Sequence, residues 1–191
     1  MASSIEFTSV LCGATLLAAV TLASPARADI ENPNDHPGYS VEVEPHLAAD
    51  TTGDDQMGLG LRLSFEILDP GFVPSASNTV ALGVGFDYLF DGDDDYCNRA
   101  RCFDDRDTLH IPLVVQWNFW FSPYWSAFGE PGVAIQLRDD EKFGEDFDGD
   151  NNLDVDLALY LGGRFHFSER TALTLRVGSP VDLGLGFSFL M

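Results

Sequence analysis

From Tyr39 onward the chain alternates apolar and polar residues with a period of two, in stretches of roughly nine to twelve residues. That period turns successive side chains to opposite faces of an extended backbone and predicts strands. In 39–48, Tyr39, Val41, Val43 and Leu47 share one face, opposite Ser40, Glu42, Glu44 and His46. In 56–67, Met57, Leu59, Leu61, Leu63, Phe65 and Ile67 oppose Gly58, Gly60, Arg62, Ser64 and Glu66. Val80, Leu82, Val84, Phe86 and Tyr88 then face away from Ala81, Gly83, Gly85 and Asp87.

The second half repeats the scheme. Leu109 to Phe119 alternate with His110, Gln116 and Asn118; Val133, Ile135 and Leu137 alternate with Gln136 and Arg138. Val155 to Leu161 face away from Asp154, Asp156 and Tyr160, and Leu173, Leu175 and Val177 from Thr174 and Arg176. The last segment, 181–191, sets Val181, Leu183, Leu185, Phe187, Phe189 and Met191 against Asp182, Gly184, Gly186 and Ser188. Eight strands result. The fifth is the weakest, because Glu130-Pro131-Gly132 interrupts it; a proline donates nothing to a ladder and suggests a bulge or bend there.

The connections alternate as well. Segments 49–55, 91–107, 138–152 and 178–180 fall on one side, the first three rich in Asp, while 68–79, 121–123 and 167–170 fall on the other. Long loops on one side and shorter turns on the other is the layout of an outer-membrane barrel. Trp117, Phe119, Trp120, Phe121, Tyr124 and Trp125 gather about one turn, Phe165 and Phe167 adjoin the next, and Phe187 and Phe189 end the chain, as an interfacial aromatic belt would require. Backbone groups in hydrocarbon must pair internally, so such a sheet closes on itself and the final segment is the closing strand.

Composition narrows the partners. Of 191 residues 45% are hydrophobic, and 31 Asp and Glu against 10 Lys and Arg give a formal charge of −21. That charge excludes nucleic acid and favours cations. Residues 7–28 form an apolar run ending Ala26-Arg27-Ala28, read as a signal peptide over 1–28 despite Glu6 in place of a basic start. Residues 29–37 follow as a short N-terminal periplasmic segment, and 38–191 as the barrel domain.

These features resemble the small eight-stranded outer-membrane barrels of Gram-negative bacteria, the OmpA-like transmembrane domain family, over roughly residues 38–191. The resemblance rests on the leader, the eight amphipathic strands, the asymmetric connections and the aromatic last strand; family members commonly end on Phe, whereas this chain ends Phe189-Leu190-Met191. It implies an all-β, eight-stranded antiparallel up-and-down transmembrane β-barrel with long acidic outer loops and short periplasmic turns, located in the outer membrane. Its partners would be membrane lipid, lipopolysaccharide and, during biogenesis, the barrel-assembly machinery, with a monomeric chain and a structural or surface-interaction role. Two readings stand beside it. A secreted soluble acidic β-sandwich or lipocalin-like binding protein would alternate in the same way, and a small barrel also suits an ion-conducting pore.

Three groups of residues carry candidate chemistry. Parity turns Glu42, Glu44, Arg62, Glu66, Asp87, Glu130, Arg138, Arg164, Arg176 and Asp182 inward, where charges persist only when paired, so they form a lumen charge network. Cys97 and Cys102, in an exported chain, are read as a disulfide. Asp146, Asp148, Asp150 and Asn152 place oxygens on alternate residues as a calcium site requires, although Asn151 stands at the EF-hand glycine position and Leu157 in place of its closing glutamate. No cofactor is required beyond calcium in the outer loops, and divalent cations are the expected ligands. No enzyme activity is expected, since His46, His110 and His166 all fall on the inner face, away from any lipid-side nucleophile.

Overall fold

The structure, a computed structural model, describes residues 29–33, 35–51, 56–90, 107–138 and 153–191. It contains eight strands in chain order: β1 (Val41–Asp50), β2 (Gln56–Leu68), β3 (Asn78–Phe90), β4 (Thr108–Ser122), β5 (Trp125–Arg138), β6 (Leu153–Ser168), β7 (Thr171–Ser179) and β8 (Leu183–Leu190). Each pairs antiparallel with its neighbours in sequence, and β8 pairs with β1 to close the barrel. The closing ladder sets Val43 beside Phe189 and Leu47 beside Leu185. Successive registers displace the chain by about ten residues in one circuit, a stagger that tilts the strands against the barrel axis.

Burial alternates as strictly as the sequence does. Along β8 the even-numbered residues from Gly184 to Leu190 are buried and the odd-numbered ones from Leu183 to Phe189 are exposed. The exposed set is apolar nearly throughout: Leu59, Leu113, Leu157, Leu159, Leu175 and Leu185 stand on the outside. Arg62, Arg164, Arg176, Glu42, Glu44, Asp87 and Glu130 are inside, each at most 3% exposed. A water-soluble barrel has the opposite arrangement, with polar groups outward.

The fifth strand departs from expectation. It begins at Trp125, and its register to β4 and to β6 carries straight through Glu130-Pro131-Gly132 without a bulge. Pro131 keeps its place opposite Leu159 of β6, while on the β4 side the pairs between Val114–Gly132 and Trp117–Gly129 are skipped with the register unchanged. Pro45 in β1 and Pro112 in β4 do the same: one adjoining ladder skips two pairs and then resumes in register. Each proline lacks one donor, and ladders on both sides of the strand hold the extended backbone in place. The observed bulges lie at the turn ends instead, between Glu66 and Leu68, Trp120 and Ser122, and His166 and Ser168.

Trp120 also departs from the expected aromatic belt. It shares parity with Gln116 and Asn118, so its ring lies inside the barrel at 1% exposure. The belt about this turn consists of Phe121, Tyr124 and Trp125, all exposed.

Candidate functional site

The lumen is filled in three layers. At the loop end, Ala48, Leu89, Val114, Ala134, Ala158, Tyr160 and Val181 form a buried apolar cluster. At the turn end, Trp120 packs with Tyr39 and Leu190. There the N-terminal segment closes the mouth: His36 stacks on Trp120 at 5.9 Å, and the Tyr39 ring meets it edge-on at 6.3 Å. His36 shares a hydrogen bond with the Ser77 hydroxyl at 3.0 Å and lies 3.2 Å from Asp69, while the Ser77 amide donates to the Ile30 carbonyl. Burial, reinforced by the charge of Glu42, pushes the Tyr39 phenol above its ordinary range and keeps it neutral.

Between these layers lies the charge network. Arg164 of β6 donates to Glu42 of β1 and to the side-chain Oδ1 of Asn118, both at 2.8 Å. Arg176 of β7 donates to Glu44 at 2.6 Å through Nη1 and to Glu130 at 2.8 Å through Nε. Glu130 also accepts from the Gln116 amide at 2.8 Å, and Glu44 from the Ser188 hydroxyl at 3.3 Å. Phe128 lies beneath two guanidiniums, 4.1 Å from Arg164 and 5.3 Å from Arg176. A methyl at Gly162 would meet that ring at 2.1 Å, which is why a glycine stands opposite it.

A second group sits nearer the loop end. The His46 Nε2 lies 2.6 Å from Asp87, and Arg62 reaches the other Asp87 oxygen at 3.4 Å. His46 is also 3.8 Å from Glu44, which joins the two groups. Gly60 makes the His46–Asp87 contact accessible, since a Cβ there would come within 2.2 Å of the imidazole and 2.4 Å of the carboxylate. Four carboxylates, Glu42, Glu44, Asp87 and Glu130, thus meet three guanidiniums and one imidazole within a single buried network.

Other candidate residues fall elsewhere. Glu66 is half-buried near the turn end of β2, with one carboxylate oxygen lacking a hydrogen-bond partner. Asp182 belongs to the rim, where it accepts from the backbone amide of Thr51 at 2.8 Å and from its hydroxyl at 2.9 Å. Asp154 and Asp156 are exposed at the loop end of β6. The Arg138 side chain, Cys97, Cys102, Asp146, Asp148, Asp150 and Asn152 lie outside the described residues. Among the described residues, no three His, Cys, Asp or Glu side chains converge as a metal site. Sequence reasoning missed Gln116 and Asn118, the amides that link the two main ion clusters; their shared parity with Arg-facing positions was the available signal.

Ser126 and His166 form one further polar pair, with 2.8 Å between hydroxyl and imidazole. Both are buried, and the imidazole packs against Trp120 at 4.8 Å, so the pair helps to fill the lumen.

No family model matches the chain, and no curated protein does. Among solved structures it is similar to the Yersinia pestis outer membrane protein Ail in a phospholipid bilayer nanodisc, at 12% identity over 81% of this chain and 100% of that one, with a TM-score of 0.49. The crystal structure of Ail, the attachment invasion locus protein of Yersinia pestis, is similar at 14% identity over 81% of this chain and 95% of that one, with a TM-score of 0.45. The chain is a closed, eight-stranded antiparallel up-and-down β-barrel with an apolar outer face and paired inner charges.

Proposed function

We propose that the protein is a plugged barrel of the Gram-negative outer membrane, with a structural or surface-interaction role and no transport path through a single chain. The observation that carries this reading is the filled lumen: an ion network with an apolar layer at one end and an aromatic layer at the other. Eight strands enclose only enough space for side chains, and here those side chains are bonded to one another. An aqueous pore of this size would require the Arg176–Glu44–Glu130 group to part, leaving charges unpaired in a confined interior.

The apolar leader, the acidic segments 91–107 and 138–152 and the rim carboxylates support an orientation with these loops facing outward. A surface of that charge concentrates divalent cations and pairs through them with lipopolysaccharide phosphates. Membrane fractionation tests the location. The chain is expected with outer membranes, and its unboiled form should migrate faster than its boiled form in detergent gels; recovery as a soluble monomer without detergent would instead support the secreted binding protein.

A further inference from the structure

The outer wall is not uniformly smooth. Most outward positions carry Leu, Val or Phe, but on β5 the two outward positions that follow Trp125 are Ala127 and Gly129. They form the floor of a groove of about 350 Å³, bounded by Phe72, Trp117 and Phe119 on one side and Leu161 on the other. That volume falls within the range of about 300–1,000 Å³ typical of small-ligand sites. No charged residue lines it.

The Trp117 wall is fixed in place. Its indole N–H donates to the Asn78 side-chain oxygen at 3.0 Å, and the ring packs against Phe119 at 4.7 Å and Phe72 at 5.5 Å. Asn78 is held in turn, its amide donating to the carbonyls of Val73 and Ala76 at 2.7 Å each. A wall already ordered loses little entropy when a ligand enters.

We propose that this groove holds one acyl chain of a glycerophospholipid from the membrane leaflet on the turn side. The proposal rests on the transmembrane reading and goes beyond it by assigning a particular lipid position. An all-apolar lining selects hydrocarbon over a headgroup, and the groove opens onto the outer face that is continuous with the apolar coat. Phe72, Phe119 and Ala127 lie close to the connections at 69–77 and 123–124, which fixes the leaflet. A single chain slides between the exposed ridges of Phe72 and Leu161, 59% and 60% exposed.

Native mass spectrometry of the chain folded in glycerophospholipid bilayers and transferred to detergent tests this. The unmodified protein is expected to keep one phospholipid. Gly129→Leu should lower that retention at least fivefold, since its Cβ meets only Leu161 at 3.6 Å and the added side chain lies in the groove. Val133→Leu, outward on the same strand beyond the groove, should retain it. If the retained lipid carries brominated acyl chains, it should quench fluorescence in the unmodified protein more than in Trp117→Phe. No retained lipid, equal retention in Gly129→Leu, or a lipid-free dimer abolished by Gly129→Leu would overturn the proposal. Failure of the protein to float with the vesicles would overturn the transmembrane reading itself, whereas flotation without retained lipid would overturn the groove alone.

Discussion

The guanidinium of Arg176 donates to the Glu44 carboxylate at 2.6 Å, although 132 residues separate them in the chain. Their strands are not neighbours, because β8 runs between β7 and β1. Gly186 on the inner face of β8 lets that strand lie close against β1, since a Cβ there would meet His46 and the Pro45 carbonyl at 2.6 Å. Closure of the barrel and assembly of its ion network therefore depend on the same strand.

Removing Arg176 leaves two buried carboxylates without their cation. Arg176→Met is expected to destabilise the folded barrel by about 3–5 kcal/mol, whereas Arg170→Ala, at an exposed turn, should change stability by less than about 0.5 kcal/mol. Urea unfolding in lipid vesicles measures both.

The Arg164–Glu42 pair should behave as a coupled unit. Arg164→Met and Glu42→Gln are each destabilising, and their combination is expected to cost less than the sum by about 0.5–3 kcal/mol. Additive losses in the double-mutant cycle would show that the two side chains do not share an interaction.

Gly60→Ala introduces a methyl into the His46–Asp87 contact and is expected to cost about 1–3 kcal/mol through forced displacement of a buried pair. Gly129→Ala, on the outer face of β5, meets only ordinary van der Waals contact and should be nearly neutral. Unfolding midpoints of the two variants provide the comparison.

A single chain in a planar bilayer should give no steady current steps, because apolar, ionic and aromatic layers succeed one another along the lumen. Steady ion-selective steps from monodisperse protein would establish a pore.

Calcium is expected to protect segment 138–152 from proteolysis more than magnesium does if Asp146, Asp148, Asp150 and Asn152 act as ligands. Calorimetry without a calcium signal, together with unchanged cleavage, would leave the segment as solvated acidic surface.

Period two was enough to read the strand count and the inner and outer faces, since one residue of slip would reverse every side chain. Strand ends were harder to place. Pro131 argues locally for a break that two flanking ladders override, and the aromatic neighbours of Trp120 point to the belt although its parity with Asn118 turns it inward. Pairing within the lumen depends on distances between strands remote in sequence, so parity placed Arg176 and Glu130 inside without showing that they meet. Parity set Tyr39 and Val181 on the outer face, but each precedes its strand and turns inward, Tyr39 onto Trp120 and Val181 into the loop-end cluster, while His36, on irregular chain, had no periodic signature.

In a transmembrane barrel the apolar face meets lipid and the charged face is enclosed. Spin labels introduced at Leu59, Leu113 and Leu185, with Cys97 and Cys102 replaced by serine, test it most directly through collision with oxygen and with a water-soluble nickel chelate. All three positions point outward, from 45% to 57% exposed. High oxygen and low nickel accessibility at every label in bilayers is the predicted result; high nickel accessibility at these positions would show a water-facing wall and contradict the account.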